Sequence, residues 1–202
     1  MSFAIDELEA ERARFPSDVR AKAFLATLYS AAGRPNEAIE VVNEALTISD
    51  RRQQFYFVAA EAYLNAGQNE QAVQALRRAY ELAPDYPEAI ANLATVLIIS
   101  GQENEAESLL EKHFGKRLVA QERYANAYAQ RGNFAKAILV WKEIVAGNQL
   151  NAESHASLGS VYAQAGRTRE AIAEIEEAMR LEPRFKPRGE QIIREIRENR
   201  LR

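Results

Sequence analysis

Small and large residues recur along the chain at fixed distances from five regularly spaced glycines. These are Gly33, Gly67, Gly101, Gly132 and Gly166, separated by 34, 34, 31 and 34 residues. A small residue lies seven positions before each glycine and five positions after it, and a large residue lies four before and nine after. The segments between the glycines are rich in Ala, Leu, Glu, Arg and Gln, which favour helices. The pattern therefore predicts repeated pairs of antiparallel helices, with a glycine turn inside each pair.

The recurring small and large residues suit close packing within each pair. Small side chains let two helix backbones approach near the turn, and large ones fill the space further out. The small first-helix positions are Ala26, Ala60, Ala94, Ala125 and Gly159, and the large second-helix positions are Val42, Leu76, Leu110, Trp141 and Ile175. We expect these side chains to form the core. A period of this length is typical of a stacked array, in which each unit buries its apolar face on its neighbours.

From the period we expect a single array that covers residues 1–202. Its parts are a half-repeat helix at 1–18, repeats at 19–52, 53–86, 87–117, 118–151 and 152–185, and a capping helix at 186–202. The third repeat is three residues short, and Gly115 is expected to end its second helix early. This shortening predicts a local change in curvature after the third repeat, and the alternative is a tolerated deletion in a surface connection.

The order of these residues resembles the tetratricopeptide repeat. The second repeat, residues 53–86, carries the resemblance most clearly, with Tyr56, Ala60, Tyr63, Gly67, Ala72, Leu76, Ala79 and Pro84. The resemblance covers nearly the whole chain. It implies an all-α solenoid of antiparallel helix pairs that forms a right-handed superhelix, with the first helices lining a concave groove. It also implies a protein that binds a peptide or a helix of another protein and does no chemistry.

First-helix positions that packing does not use are expected to face this groove. The predicted peptide-binding residues are Phe57, Glu61, Leu64, Thr95, Ile98, Ile99, Arg123 and Asn126. An apolar strip at Ile98 and Ile99 suits an extended peptide or an amphipathic helix. For Phe57, packing on a neighbouring repeat is an equal alternative. A branch of the family that grips C-terminal carboxylates needs Lys at set first-helix positions, and this chain lacks it there.

The residues offer no constellation that would support catalysis. The chain has no Cys, and its two His lie in different rows, so neither a thiolate site nor a metal site is expected. No phosphate-binding loop or nucleophile elbow occurs, and His155 is expected to be a packing residue. The net charge of -3 argues against an electrostatic grip on nucleic acid. We therefore expect a non-enzymatic protein without cofactors, with a protein or peptide as its partner.

A second hypothesis places the chain in the cell envelope. Residues 181–186 and 190–196 are similar to the soluble repeat tails of O-antigen-ligase-type bacterial membrane proteins. No apolar run approaches the ~18–20 residues that span a bilayer, so we expect no membrane insertion within this segment. The expected location is cytoplasmic, with tethering to the inner membrane through a missing upstream segment as the alternative. The exposed half-repeat at 1–18 could dock on another copy, which makes self-association part of this hypothesis.

Overall fold

The computed structural model describes residues 2–198, and within that range the chain is entirely helical apart from its connections. The helices are α1 (Ser2–Arg14), α2 (Val19–Ala31), α3 (Pro35–Ile48), α4 (Gln53–Asn65), α5 (Asn69–Leu82), α6 (Pro87–Ile99), α7 (Glu103–Phe114), α8 (Glu122–Gln130), α9 (Phe134–Gly147), α10 (Ala152–Gln164), α11 (Thr168–Leu181) and α12 (Lys186–Arg197). A 3-10 turn at Pro183–Phe185 precedes α12. The predicted all-α fold is confirmed. Residues 199–202 of the expected capping helix lie outside the described residues.

The chain forms two compact units, Met1–Ser100 and Gly101–Arg202. In the first unit, α2 pairs with α3 and α4 pairs with α5, while α1 packs on α2 and α6 packs on α5. In the second unit, α8 pairs with α9 and α10 pairs with α11, and α12 packs on α11. These helices bury apolar side chains against their neighbours, so helix pairing rather than a single central core holds each unit together.

The glycine turn inside each pair has the conformation that the sequence predicts. Gly67, which ends the α4 side of the α4–α5 pair, has a φ of 72°. Its N–H donates to the Leu64 carbonyl, and the N–H of Gln68 donates to the Tyr63 carbonyl at 2.8 Å. This six-to-one bond satisfies carbonyls that the end of α4 would leave without partners. The left-handed φ explains why glycine stands there.

The second helix of the short third repeat ends just before Gly115, as the sequence predicts. Gly115 lies directly after α7 with a φ of 70°, and its N–H donates to the Glu111 carbonyl at 2.9 Å. As a result α7 has 12 residues, whereas α5 has 14.

Ion pairs centred on Glu44 of α3 hold α1 and α2 in place. The Glu44 carboxylate accepts hydrogen bonds from the Arg12 guanidinium and, at 2.6 Å, from the Lys22 ammonium. Lys22 is buried, and Arg12 also pairs with Glu9 at 3.1 Å. The Tyr29 hydroxyl donates to Glu9 at 2.6 Å. Three helices are thus joined by charge-assisted hydrogen bonds, which are stronger than neutral ones.

We expect this network to make the first unit sensitive to acid. Hydrogen bonds from Arg12, and then from Lys22, lower the pKa of Glu44 to about 2. Because the folded pKa lies below the unfolded one, the stabilisation is complete above the ordinary glutamate pKa of about 4.5 and is lost as the pH falls towards 2. The free energy of unfolding, measured in urea, should therefore fall more between pH 6 and pH 3 in the wild type than in Glu44→Gln.

The matched control is Glu176→Gln, which removes an exposed carboxylate in the second unit. Its loss of stability between the two pH values should equal that of the wild type. Parallel losses in wild type and Glu44→Gln would contradict the role assigned to Glu44.

Candidate functional site

An open groove of about 480 Å³ runs between α4 and α6 in the first unit. Twelve residues line it: Gln54, Phe57, Val58, Ala60, Glu61, Leu64, Asn65, Leu76, Asn92, Thr95, Val96 and Ile99. Seven belong to α4 and four to α6, and within each helix they recur every three or four residues, which places them on one face. The backbone of α4 lies closer to α2 than to α6. The groove occupies the space between α4 and α6.

Buried apolar side chains form the floor of the groove. Leu76 of α5 and Val96 of α6 are each 3% exposed, and Ala60 of α4 is 2% exposed. Ala60 is one of the small first-helix positions, and its single methyl group leaves depth where a larger side chain would fill the groove. The residues that let helices pack closely therefore also shape the cavity.

The ring of Phe57, which lines the groove near the start of α4, stacks on the ring of Tyr86. Tyr86 occupies the N-cap position of α6. The ring centroids are 6.4 Å apart and the planes meet at 26°. Such a pair contributes about 0.5–1.5 kcal/mol beyond its area burial. The ring of Phe57 thus lines the groove and also contacts the connection that leads into α6, and whether it anchors a partner stays a prediction.

Some of the polar side chains that line the groove offer no free donor to a ligand. The Thr95 hydroxyl donates to the Ala91 carbonyl of its own helix at 2.8 Å, so its donor is satisfied within α6. Glu61 is the single charged residue among the twelve that line the groove, and its side chain is exposed. The amides of Gln54 and Asn65 on α4 add polar groups able to bind a peptide backbone.

The structure brings together five of the eight predicted site residues. Phe57, Glu61, Leu64, Thr95 and Ile99 all line the groove between α4 and α6. Whether they bind a peptide stays a prediction.

The prediction that Ile98 faces the groove is wrong. Its side chain is 0% exposed, whereas the adjacent Ile99 lines the groove. Neighbouring residues of a helix point about 100° apart, because 3.6 residues make one turn. The lining residues of α6, Asn92, Thr95, Val96 and Ile99, share one face of the helix, and Ile98 lies outside that face.

Arg123 and Asn126 do not belong to this groove. Both are exposed on α8 in the second unit. Lining residues that the sequence prediction did not include are, among others, Gln54, Val58, Asn92 and Val96. Each lies three residues before a residue that was predicted, so the helical period could have found them.

His155 of α10 is engaged in contacts within the second unit. The buried His155 has Nδ1 2.6 Å from Glu174 and Nε2 3.2 Å from the Gln149 carbonyl, as expected for a packing residue. Both ring nitrogens face acceptors, so neither is directed at a ligand. Within residues 2–198, no three His, Asp or Glu side chains lie close enough together to hold a metal ion.

Glu107 of α7 is a buried acid, and its ion-pair partners are Lys136 and Arg117. Burial would raise the pKa of Glu107, but hydrogen bonds from Lys136 and Arg117 outweigh that effect and hold the pKa below its usual value. Lys136 also pairs with Glu103 at 2.7 Å. The arrangement joins α7 to α9 and leaves no poised acid or base.

Comparison with known families now decides the identity of the fold. Two family models, both described as tetratricopeptide repeat, match the chain, one at residues 31–79 and 63–130 and the other at 4–54 and 115–184. The chain belongs to the tetratricopeptide repeat (TPR) family.

Solved structures of TPR proteins resemble the chain in fold. A tetratricopeptide repeat protein from Parabacteroides merdae matches with a TM-score of 0.67 at 18% identity, over 95% of this chain and 80% of that one. A putative kinesin light chain with TPR-like repeats from Podosopora anserina matches with a TM-score of 0.63 at 23% identity, over 84% and 97%. YrrB, described as a TPR protein with an unusual peptide-binding site, gives a TM-score of 0.55 at 16% identity, over 87% and 92%.

At these identities the likeness establishes the fold alone. No curated protein matches the chain by sequence. None of the matched families or structures named here bears on the resemblance to O-antigen-ligase tails, which stays a hypothesis together with self-association and cellular location. Throughout residues 2–198, no helix is both long and apolar enough to cross a membrane.

Proposed function

We propose that this TPR chain is a non-catalytic interaction scaffold that binds a segment of another protein in the groove between α4 and α6. The observation that carries the proposal is the groove itself, a cavity of about 480 Å³ with a buried apolar floor and a few polar groups among its lining residues. Ligand sites in proteins have this composition, since apolar walls supply affinity and a few polar groups set orientation.

The arrangement of the groove favours a peptide over a small molecule. It is open to solvent along the faces of two helices, and the eleven residue steps from Gln54 to Asn65 span about 16 Å of helix at 1.5 Å per step. An extended peptide of about five residues has the same length at about 3.3 Å per residue. TPR family membership supports the same choice, and YrrB is a TPR protein described as having a peptide-binding site.

Two substitutions in the groove test the proposal. Phe57→Ala removes one of the stacked rings, and Ile99→Asp places a carboxylate on the apolar wall. A fluorescent peptide selected from a random library against the full chain should bind each variant at least about tenfold more weakly, as expected for apolar residues central to an interface. Fluorescence anisotropy gives the affinities, and circular dichroism checks that helicity is unchanged.

The matched control is Leu139→Asp, which changes an apolar side chain that is 56% exposed on α9 in the second unit. It should bind the peptide as the wild type does. If Phe57→Ala and Ile99→Asp also keep wild-type affinity, the ligand does not occupy the groove and the proposal is wrong.

A further inference from the structure

The charge in the groove identifies the kind of peptide that it accepts. Glu61 lies on the groove face of α4, between Phe57 one turn before it and Leu64 one turn after it. The other eleven lining residues are uncharged. Within residues 2–198 the carboxylate of Glu61 takes part in no ion pair, in contrast to Glu44 and Glu107, whose carboxylates are bonded to cations. A bound ligand therefore meets a single negative charge that the protein itself leaves uncompensated.

A ligand that covers this groove removes water from Glu61. Desolvating a carboxylate without a partner is costly, whereas a cation supplied by the ligand offsets that cost through a charge-assisted hydrogen bond. An acidic group at the same place adds repulsion to the desolvation. Glu61 therefore favours basic ligands and disfavours acidic ones, while its apolar neighbours favour apolar side chains beside the basic one.

We propose that the groove recognises a peptide in which a Lys or Arg pairs with Glu61 and apolar side chains lie on both sides of it. This inference rests on the proposed function, because it describes the ligand of the same groove. It deepens that proposal by assigning the sign of the ligand's charge. A peptide whose recognition depends on its carboxylates would be rejected at Glu61.

Helix geometry also gives the spacing of the motif. Phe57 and Glu61 are four residues apart, which is about 6 Å along the axis of α4. Alternate residues of an extended peptide point to the same side and are about 6.6 Å apart. Leu64 follows Glu61 by about 4.5 Å along the same axis. A peptide running along α4 therefore places an apolar residue, the basic residue and a second apolar residue at alternate positions.

A charge-reversal selection tests this inference. A random twelve-residue phage-displayed library is selected on the full wild-type chain and, separately, on Glu61→Lys. From each pool, phages that also bind the same protein carrying Phe57→Ala and Ile99→Asp are removed. Only phages that depend on the groove then remain. We expect Lys or Arg at one position, with apolar residues two places before and after it, in the wild-type pool, and Asp or Glu at that position in the Glu61→Lys pool.

The best wild-type peptide then gives a quantitative measurement. Replacing its central Lys or Arg by norleucine should weaken binding to the wild type about five- to tenfold, as expected for a partly desolvated ion pair, and should change binding to Glu61→Gln by less than about twofold. The matched control is Glu176→Lys, the same charge change on an exposed site in the second unit, which should select the same motif as the wild type.

The outcomes separate this inference from the proposed function. Both pools may bind through the groove but share one charge pattern, or norleucine may weaken binding to the wild type and to Glu61→Gln equally. Either result contradicts the role of Glu61 and leaves the groove proposal standing. If the depletion on the groove variants removes every binder, the groove is not the peptide site and both proposals fail.

Discussion

Ile98→Asp is expected to cost about 4 kcal/mol or more of folding free energy, the largest effect of any substitution proposed for this chain. The Ile98 side chain is fully buried on α6. The substitution removes the burial of a large apolar side chain, which alone costs about 2–5 kcal/mol when the site cannot collapse. It also places a carboxylate where solvent has no access, a further cost of the same order.

The adjacent residue supplies the control. Ile99 is only half-buried and borders the open groove, so Ile99→Asp should remain within about 1 kcal/mol of the wild type, because its carboxylate can reach water. Urea unfolding followed by circular dichroism compares the two variants directly. Equal stabilities would mean that α6 is rotated from the orientation described here, with Ile98 towards solvent.

Trp141→Ala is expected to destabilise the second unit by about 3–5 kcal/mol. Trp141 of α9 is 2% exposed and is the only tryptophan in the chain. Its removal leaves a large cavity in the core of a unit that has few alternative ways to repack. Urea unfolding should be followed by circular dichroism, because the variant has no tryptophan fluorescence.

Two further variants separate packing from other causes. Trp141→Phe should cost about 1 kcal/mol or less, because it keeps an aromatic ring and removes an indole N–H that has no hydrogen-bond partner in the described structure. Leu139→Ala, at an exposed position of the same helix, should change stability by about 0.5 kcal/mol at most. A Trp141→Phe loss as large as that of Trp141→Ala would point to the indole N–H instead of ring volume.

The helical framework could be predicted from the sequence because its causes are local. A left-handed turn needs glycine, and helix pairing needs small residues at fixed distances from that turn, so Gly67 and Ala60 identify their own structural roles. The same local reasoning identified Trp141 as a core residue. Such positions repeat with the period, and each repeat provides an independent check of the others.

The candidate site was harder to predict because it depends on rotation about a helix axis and on contacts between rows. Ile98 and Ile99 are equally apolar, and composition cannot distinguish a groove residue from its buried neighbour. Tyr86 was not selected because it lies in the connection before α6, although its ring stacks on Phe57. The partners of Glu44 come from α1 and α2, far away in sequence, so no spacing rule identifies them.

One packing position decides whether the repeats of this chain can be exchanged for one another. The place held by Ile90 in α6 is held by Lys22 in α2 and by His155 in α10. Lys22 needs Glu44 from α3, and His155 contacts Glu174 from α11, each at 2.6 Å. The place of Glu44 is held by Arg78 in α5 and by Lys112 in α7, and the place of Glu174 is apolar in every other second helix. Moving α2 next to α5 or α7, or α10 next to any other second helix, would therefore bury a polar group without its partner. The chain is not a string of equivalent modules: α10 must be shuffled, duplicated or redesigned together with α11, and α2 only beside a second helix that supplies the acid.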